Sequence, residues 1–160
     1  MIVISDTSPL CYLILIGQDQ ILSRLFGTIT IPYGVRNELQ HEEAPDAVRN
    51  WMVYPPDWLI IREVSGREDR DLSFLHSGER EAIQLAQTLQ ADLVLLDEKA
   101  ARQAAGVRNL TFTGLLGLLS RAAAEGLLDL PDTIRDLRST TFRASPGLLK
   151  QILDRHQAKA

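Results

Sequence analysis

The sequence lacks the residue patterns that are typical of disulfide-linked, zinc-binding and membrane-spanning proteins. It contains one cysteine, Cys11, so an internal disulfide is excluded. The histidines His41, His76 and His156 lie far apart, and none pairs with the cysteine at the spacing of a zinc site. The longest apolar run, Pro9–Ile16, is far shorter than the ~20 residues that cross a bilayer. No basic segment of a signal peptide precedes it. We therefore expect a cytoplasmic protein without a membrane segment.

The composition is that of an ordinary globular domain. The 160 residues are 45% hydrophobic and 24% charged, which predicts one domain over residues 1–160. The net charge is −4, so non-specific binding to nucleic acid should be weak. The charge is uneven, because residues 1–97 hold 7 basic and 15 acidic side chains, whereas residues 98–160 hold 10 and 6. Most of the basic residues are arginine, which grips phosphate well, although genome base composition explains this more simply.

Short apolar or β-branched segments alternate with amphipathic ones along the whole chain. This alternation predicts an α/β protein, a three-layer α/β/α sandwich around a mostly parallel central sheet. The predicted strands are Ile2–Ile4, Thr28–Ile31, Trp58–Ile61 (a strand or buried coil), Asp92–Leu96 and Leu110–Phe112. The predicted helices are Pro9–Ile16, Gln20–Phe26, a helix opened by Pro32, Ala44–Val53, Gly78–Gln90, Glu98–Ala105, Gly114–Glu125, Leu130–Arg138 and Pro146–His156.

Local signals predict how some of these helices begin and end. Ser8 is expected to be the N-cap of the first helix, with Pro9 as its first residue. Gly106 is expected to be the C-cap of the helix that begins at Glu98. The charged segment Ser65–Asp71 is predicted to be a mobile loop, and a candidate for contacts to substrate bases.

Acidic residues recur where a parallel sheet binds ligands. Asp6 and Asp97 each follow a predicted strand, and ligands bind beyond the carboxyl ends of such strands. Helical phase adds Glu38 and Glu79, each at the border of an apolar stripe, where an unpaired carboxylate is costly. Converging carboxylates repel one another, and Mg²⁺ or Mn²⁺ removes that conflict. Such ions polarise a phosphodiester and activate water. The pattern therefore suggests metal-dependent phosphodiester hydrolysis.

Each acid also has a structural alternative that spacing leaves open. Asp6 is explained equally well as a turn residue, and Asp97 as the N-cap of the helix that begins at Glu98. Glu79 would complement the positive N-terminus of its own helix. Glu38 would be a surface glutamate whose stem lies along apolar neighbours.

An ordered set of short motifs covers nearly the whole chain. The motifs are Asp6-Thr7-Ser8-Pro9-Leu10, Ile31-Pro32 with Val35-x-x-Glu38-Leu39, Gly78-Glu79-x-Glu81-Ala82-Ile83, Leu95-Leu96-Asp97-Glu98 with Ala101-Arg102, and Phe112-Thr113-Gly114-Leu115-Leu116-Gly117. This ordered set resembles PIN-domain ribonucleases, and its final segment resembles small prokaryotic PIN-like proteins related to VapC-type toxins.

The resemblance implies a Mg²⁺- or Mn²⁺-dependent endoribonuclease that is the toxin of a toxin–antitoxin pair. Such a protein cuts RNA, is often a homodimer and is inhibited by a small antitoxin protein. A catalytically inactive, dimeric, protein-binding or regulatory PIN-like module is the alternative. The implied acidic quartet is Asp6, Glu38, Glu79 and Asp97, with Asp6, Asp97 and Glu79 as metal ligands and Ser8, Thr113 and Glu98 in supporting positions.

The chain departs from the family pattern near the implied metal. The third acid is Glu79, where many PIN toxins have aspartate, and Lys99-Ala100-Ala101 supplies no further acid after Glu98. The number of bound metal ions therefore stays open.

Helical phase yields one more expectation at the site, and apolar helices yield one about assembly. On the helix Gly78–Gln90, Glu79 falls beside the buried stripe, whereas Glu81 falls on the polar face and should point to solvent. The helix Gly114–Glu125 is apolar almost all round, and the last helix has a broad apolar stripe. An apolar surface of this extent favours a homodimer.

Overall fold

The chain folds around one five-stranded parallel sheet. A computed structural model describes residues 1–159. The strands lie in the order β3-β2-β1-β4-β5, and every neighbouring pair is parallel. Their bounds are β1 Val3–Ser5, β2 Ile29–Pro32, β3 Leu59–Arg62, β4 Leu93–Leu95 and β5 Phe112–Thr113.

Helices connect the strands and continue beyond the last one. Within residues 1–159 they are α1 Thr7–Leu15, α2 Gln20–Phe26, α3 Tyr33–Gln40, α4 Asp46–Val53, α5 Ser77–Leu89, α6 Lys99–Val107, α7 Leu115–Ala124, α8 Leu130–Arg138 and α9 Pro146–Lys159. A 3₁₀ turn at Arg70–Leu72 precedes α5. None of the helices in this part of the chain is long and apolar enough to span a bilayer.

The alternation of side chains along the strands produces the two cores. Val3 and Leu95 pack with α1–α4 and α7–α9, whereas Ile4, Val94 and Leu96 pack with α5 and α6. Both faces of the sheet are therefore covered, which is why the central strands β1, β2 and β4 are buried and mostly apolar rather than alternating with polar residues. The predicted three-layer α/β/α sandwich is confirmed.

Parallel pairing brings the carboxyl ends of the strands to one edge of the sheet. Ser5 of β1 is in register with Leu95 of β4, so the segments that follow these strands leave side by side. Asp6 comes directly after β1, Asp97 comes two residues after Leu95, and Gly114 comes directly after β5. The helices α1, α3 and α7 also begin at this edge. The fold thus gathers acidic residues and helix N-termini in one place.

The expected helix signals at Ser8 and Gly106 are corrected by the structure. Asp6 occupies the N-cap position of α1, with extended φ and ψ of −77° and 176°, so Ser8 already lies in the first turn. Gly106 lies inside α6, because hydrogen bonding continues to Arg108, whose N–H donates to the Ala105 carbonyl at 3.1 Å. The left-handed residue that reverses the chain is Asn109, with φ of 58°.

The stability effects of two open glycines should separate helix propensity from backbone strain. A methyl group at Gly106 would meet nothing closer than Phe112, at 3.8 Å, so Gly106→Ala should raise the free energy of unfolding by roughly 0.5–1 kcal/mol. Gly126 has equally open space but a φ of 74°, so Gly126→Ala should lower it by roughly 1 kcal/mol. Urea unfolding of both variants checks this, and equal destabilisation would contradict the placement of Gly106 inside α6.

Candidate active site

Asp6 is the most deeply buried acid at the carboxyl edge of the sheet. Its side chain is 3% exposed, and Oδ1 has no hydrogen-bond partner among the described residues. Burial raises the pKa of Asp6 to about 7 against the opposing effect of the Thr7 backbone N–H, and the negative charges of Glu79, Glu38 and Asp97 raise it further. The structure therefore brings the four acids of the expected quartet into one electrostatic cluster.

Asp97 connects the end of β4 to the start of α7. Its Oδ1 accepts a hydrogen bond of 2.8 Å from the N–H of Leu115, whereas its Oδ2 is buried without a partner. Burial raises the pKa of Asp97, the Leu115 N–H and Arg102 oppose that shift, and Glu98 adds to it. The alternative that Asp97 caps the following helix is wrong, because Glu98 occupies the N-cap position of α6.

Glu38 lies between three helices rather than on the surface. Its Oε1 accepts a hydrogen bond of 3.0 Å from the N–H of Gly78, at the start of α5, and its Oε2 accepts one from the Thr7 hydroxyl of α1. Gly78 permits this close approach, since a Cβ there would lie 2.7 to 2.9 Å from the Glu38 carboxylate. The half-buried Glu38 therefore ties α1, α3 and α5 together beside Asp6.

Glu79 is buried on the first turn of α5, as helical phase predicts. Its residue is 7% exposed. Burial raises the pKa of Glu79, the charge of His76 opposes the shift, and the charges of Glu98 and Glu38 increase it. Glu81, the second acid on this turn of α5, does not have the solvent-exposed position that helical phase predicts.

Glu81 is half-buried and does not point to solvent. Its Oε1 accepts a hydrogen bond of 3.2 Å from the N–H of Gly34, at the start of α3. Helical phase failed here because α3 packs against this side of α5, so the polar face of α5 meets another helix. Glu81 therefore stabilises the N-terminus of α3.

The three expected supporting residues lie around these acids. Ser8 is half-buried on the first turn of α1. Thr113 ends β5, and its hydroxyl lies 2.5 Å from where a Cβ on Gly117 would be. Glu98 is exposed, and its charge affects the pKa of both Asp97 and Glu79. Ser8 and Glu98 line the same groove as Asp97, whereas Thr113 is not part of that lining.

Sequence reasoning gave Arg102 no role, although the structure places it beside Asp97. A Cβ on Gly114 would lie 2.8 Å from Asp97 Oδ1 and 3.3 Å from Arg102 Nη2, so glycine leaves room for both groups. The Arg102 Nε is buried without a hydrogen-bond partner, and its guanidinium lies 5.5 Å from the ring centroid of Phe112. The signal in the sequence was its position about one turn after Glu98.

A groove opens beside the acids between α1, α7 and α9, and we call it the α9 groove. Its volume is about 1280 Å³, and Ser8, Asp97, Glu98 and Arg102 belong to its lining. The segment 65–71, which was expected to contact bases, lies apart from this groove. Ion pairs hold it against α5 and α6, with Glu68–Arg80 at 3.5 Å and Asp69–Arg108 at 3.1 Å.

The donor atoms at the acids fit a hard divalent cation held by few protein ligands. Within residues 1–159, no three Asp, Glu, His or Cys side chains converge as a complete metal-binding group. Asp6 Oδ1 and Asp97 Oδ2, however, are both buried carboxylate oxygens without a partner. Mg²⁺ commonly takes one or two carboxylates and completes its octahedron with water. Asp6 and Asp97 could therefore hold such an ion, with Glu79 in the same charge cluster.

The raised pKa of Asp6 has a measurable effect on stability in the absence of metal. Because the pKa of folded Asp6 is about 7, above its value in the unfolded chain, the folded state binds the proton more tightly. The free energy of unfolding should therefore fall as pH rises from about 4 to about 7. In EDTA near pH 8, Asp6→Asn should be more stable than the native chain by roughly 2–4 kcal/mol, a difference that shrinks toward pH 4. Identical pH profiles in urea unfolding would contradict this.

Comparison with known proteins identifies the family. A family model described as a PIN domain matches residues 2–158 of the chain. No curated protein matches the sequence. The family match includes every strand of the sheet and each acid of the cluster. The chain belongs to the PIN-domain family.

Proposed function

We propose that this protein is a Mg²⁺- or Mn²⁺-dependent endoribonuclease and the toxin of a toxin–antitoxin pair. PIN domains are generally nucleases, so a hydrolase of phosphodiester bonds is the coarser conclusion that family membership supports. The observation that supports the metal dependence is the pair of buried, unpartnered carboxylate oxygens on Asp6 and Asp97 at one edge of the sheet, whereas the RNA substrate and the toxin role rest on the family resemblance.

The acids divide into ligands and positioning groups in this proposal. Asp6 and Asp97 would hold the ion, and Glu79 would complete the negative cluster that attracts it. When bound, Mg²⁺ or Mn²⁺ polarises the phosphodiester and activates the attacking water. Glu38 acts by position, because its hydrogen bonds to Gly78 and Thr7 fix the starts of α5 and α1 around Asp6.

Positive and hydroxyl groups beside the acids serve the substrate. The Arg102 guanidinium lies next to Asp97 and has an unpartnered Nε. Arginine donates to phosphate oxygens in a bidentate manner, so Arg102 is placed to orient the phosphodiester and to offset its charge. The supporting residues Ser8 and Thr113 offer hydroxyl groups, and Glu98 an exposed carboxylate, to water at the same edge.

The proposal includes a small antitoxin protein, which the family resemblance implies, a homodimer, which the resemblance and the apolar helices favour, and a cytoplasmic location, which was expected from the sequence. The apolar character of α7 supports the dimer less than expected, because Leu115, Leu118 and Leu119 are at most 1% exposed and belong to the core. On α9, Leu149 is also buried, while Leu148 remains 43% exposed. Light scattering of the purified chain tests the dimer directly.

Asp6→Asn should abolish RNA cleavage while the fold is kept. The amide is nearly isosteric with the carboxylate but lacks the charge that binds a cation, so the rate should fall by at least about 100-fold. Total RNA incubated with Mn²⁺, with and without EDTA, gives the measurement. Asp57→Asn is the matched control, since exposed Asp57 precedes β3 at the opposite edge of the sheet. Full Mn²⁺-dependent cleavage by Asp6→Asn would refute the site.

The same assay separates the enzyme from the alternative function. A native chain that cuts no RNA with Mg²⁺ or Mn²⁺, yet is correctly folded, would favour the inactive, dimeric, protein-binding or regulatory PIN-like module.

Two glutamates on one turn of α5 should differ in their effect on metal affinity. Glu79→Gln removes a buried charge from the cluster, so Mn²⁺ affinity and cleavage should both fall by roughly tenfold or more. Glu81→Gln keeps a side-chain oxygen that can accept from Gly34 N–H, so both quantities should stay within about twofold, with a small loss of stability. Mn²⁺ titration by calorimetry and the RNA assay measure them. A larger loss from Glu81→Gln would place Glu81 among the ligands instead.

A further inference from the structure

The α9 groove extends well beyond the acidic cluster. Its lining includes Gly114, just before α7, and Ala124, the last residue of that helix. A helix of this length spans about 15 Å at 1.5 Å per residue. The groove is therefore long enough to contact more of a bound chain than the one phosphodiester beside Asp97.

The charges that line the groove are basic once the acids at the sheet edge are left behind. Arg143 precedes α9, and Arg155 and Lys159 lie on it, and these side chains line the groove together with His156. Within the described part of the chain, none of Arg143, Arg155 and Lys159 forms an ion pair. A chain with a net charge of −4 thus presents unpaired cations along one groove, which is complementary to a polyanion.

Aromatic and aliphatic side chains line the same groove as these cations. The rings of Tyr12 and Phe142 meet edge to face with centroids 5.3 Å apart, and the Tyr12 hydroxyl lies 3.0 Å from Thr141 Oγ1. Phe142 is half-buried and lines the groove, as does the exposed Leu148. Cations that follow a phosphate backbone, combined with aromatic faces for bases, are the means by which proteins bind single strands. Paired bases in a duplex could not stack on Phe142.

We propose that the α9 groove binds single-stranded RNA beside the cleavage site, with Arg143, Arg155 and Lys159 contacting phosphates and Phe142 contacting a base. This inference rests on the proposed ribonuclease function and names the part of the protein that holds the substrate strand. Cleavage then depends on the acids, whereas affinity for the strand depends on α9 and the segment before it.

Binding without cleavage tests the inference independently of catalysis. The intact chain in EDTA is titrated into a short, labelled, mixed-sequence RNA, single-stranded or duplex, and fluorescence anisotropy gives the dissociation constant at several salt concentrations. The groove variant is Arg143→Gln with Arg155→Gln. The control is Arg24→Gln with Arg138→Gln, since these exposed arginines of α2 and α8 lie outside the groove.

The groove variant should bind single-stranded RNA at least about tenfold more weakly, and the control should stay within about twofold. Loss of two phosphate contacts should also reduce the slope of log affinity against log salt by about 1.4. Phe142→Leu keeps an apolar contact with Tyr12, so it should weaken single-strand binding while leaving the salt slope unchanged.

Equal affinities of the groove variant and the control overturn the inference, as does duplex binding that matches single-strand binding. A groove variant that keeps its RNA affinity but loses association with a partner protein would reassign the groove to that partner. If the native chain binds RNA through the groove but cuts none with Mn²⁺, the proposed ribonuclease fails while the groove assignment stands. If the native chain cuts RNA and the groove variant binds RNA as tightly as the native chain, the groove assignment fails while the proposed ribonuclease stands.

Discussion

The structure depends on helix N-termini that hold negative charge at one edge of a parallel sheet. Asp97 accepts from the first N–H of α7, Glu38 accepts from an N–H in the first turn of α5, and Asp6 occupies the N-cap position of α1. The positive ends of these helices offset part of the repulsion among the carboxylates. In a parallel sheet, every segment that follows a strand begins at the same edge. The acids that follow different strands therefore lie close together without any one element that links them. The geometry of the site is a consequence of the topology of the sheet.

The helix N-termini compensate only part of the negative charge on the carboxylates. The uncompensated charge points to function. Each of Asp6 and Asp97 keeps a buried carboxylate oxygen without a partner, and burial raises the pKa of both groups. Burying an unpaired carboxylate lowers stability unless a cation or proton relieves it. The carboxylate oxygens of a structural cap would be satisfied by hydrogen bonds. The Asp6 side chain makes no capping hydrogen bond, and Asp97 uses one of its two oxygens, so the structural alternatives do not account for these acids. Gly78 and Gly114 also leave room for the carboxylates, because a methyl group at either position would displace a carboxylate of the cluster.

The sequence predicted the elements better than it predicted contacts between them. Strand order in the chain, apolar strands and the phase of Glu79 follow from local patterns, and each matches the structure. Glu81 was misplaced because its partner, the N–H of Gly34, lies 47 residues away, and no periodicity within α5 reports on α3. Contacts between elements also decide the surroundings of α7, whose apolar side chains pack in one core with those of α8 and α9, so its composition alone is weaker support for a dimer. Arg102 belonged to a motif but was given no role, because its closeness to Asp97 depends on the room that Gly114 leaves for both groups.

The net charge of −4 does not describe the α9 groove, because acidic and basic side chains lie in different parts of the chain. Charges in salt near 0.1 M act over about 10 Å, so a strand in the α9 groove experiences Arg143, Arg155 and Lys159 more than the acids of distant helices. At the carboxyl edge of the sheet the side chains are negatively charged, so the carboxylate cluster would repel a phosphodiester. A cation on Asp6 and Asp97 would remove that repulsion, and by linkage a bound strand would raise the affinity for the cation equally. In the proposed function, the acidic first part of the chain would hold the cation and the basic last part would hold the strand, and a phosphate would need both in order to approach the acids.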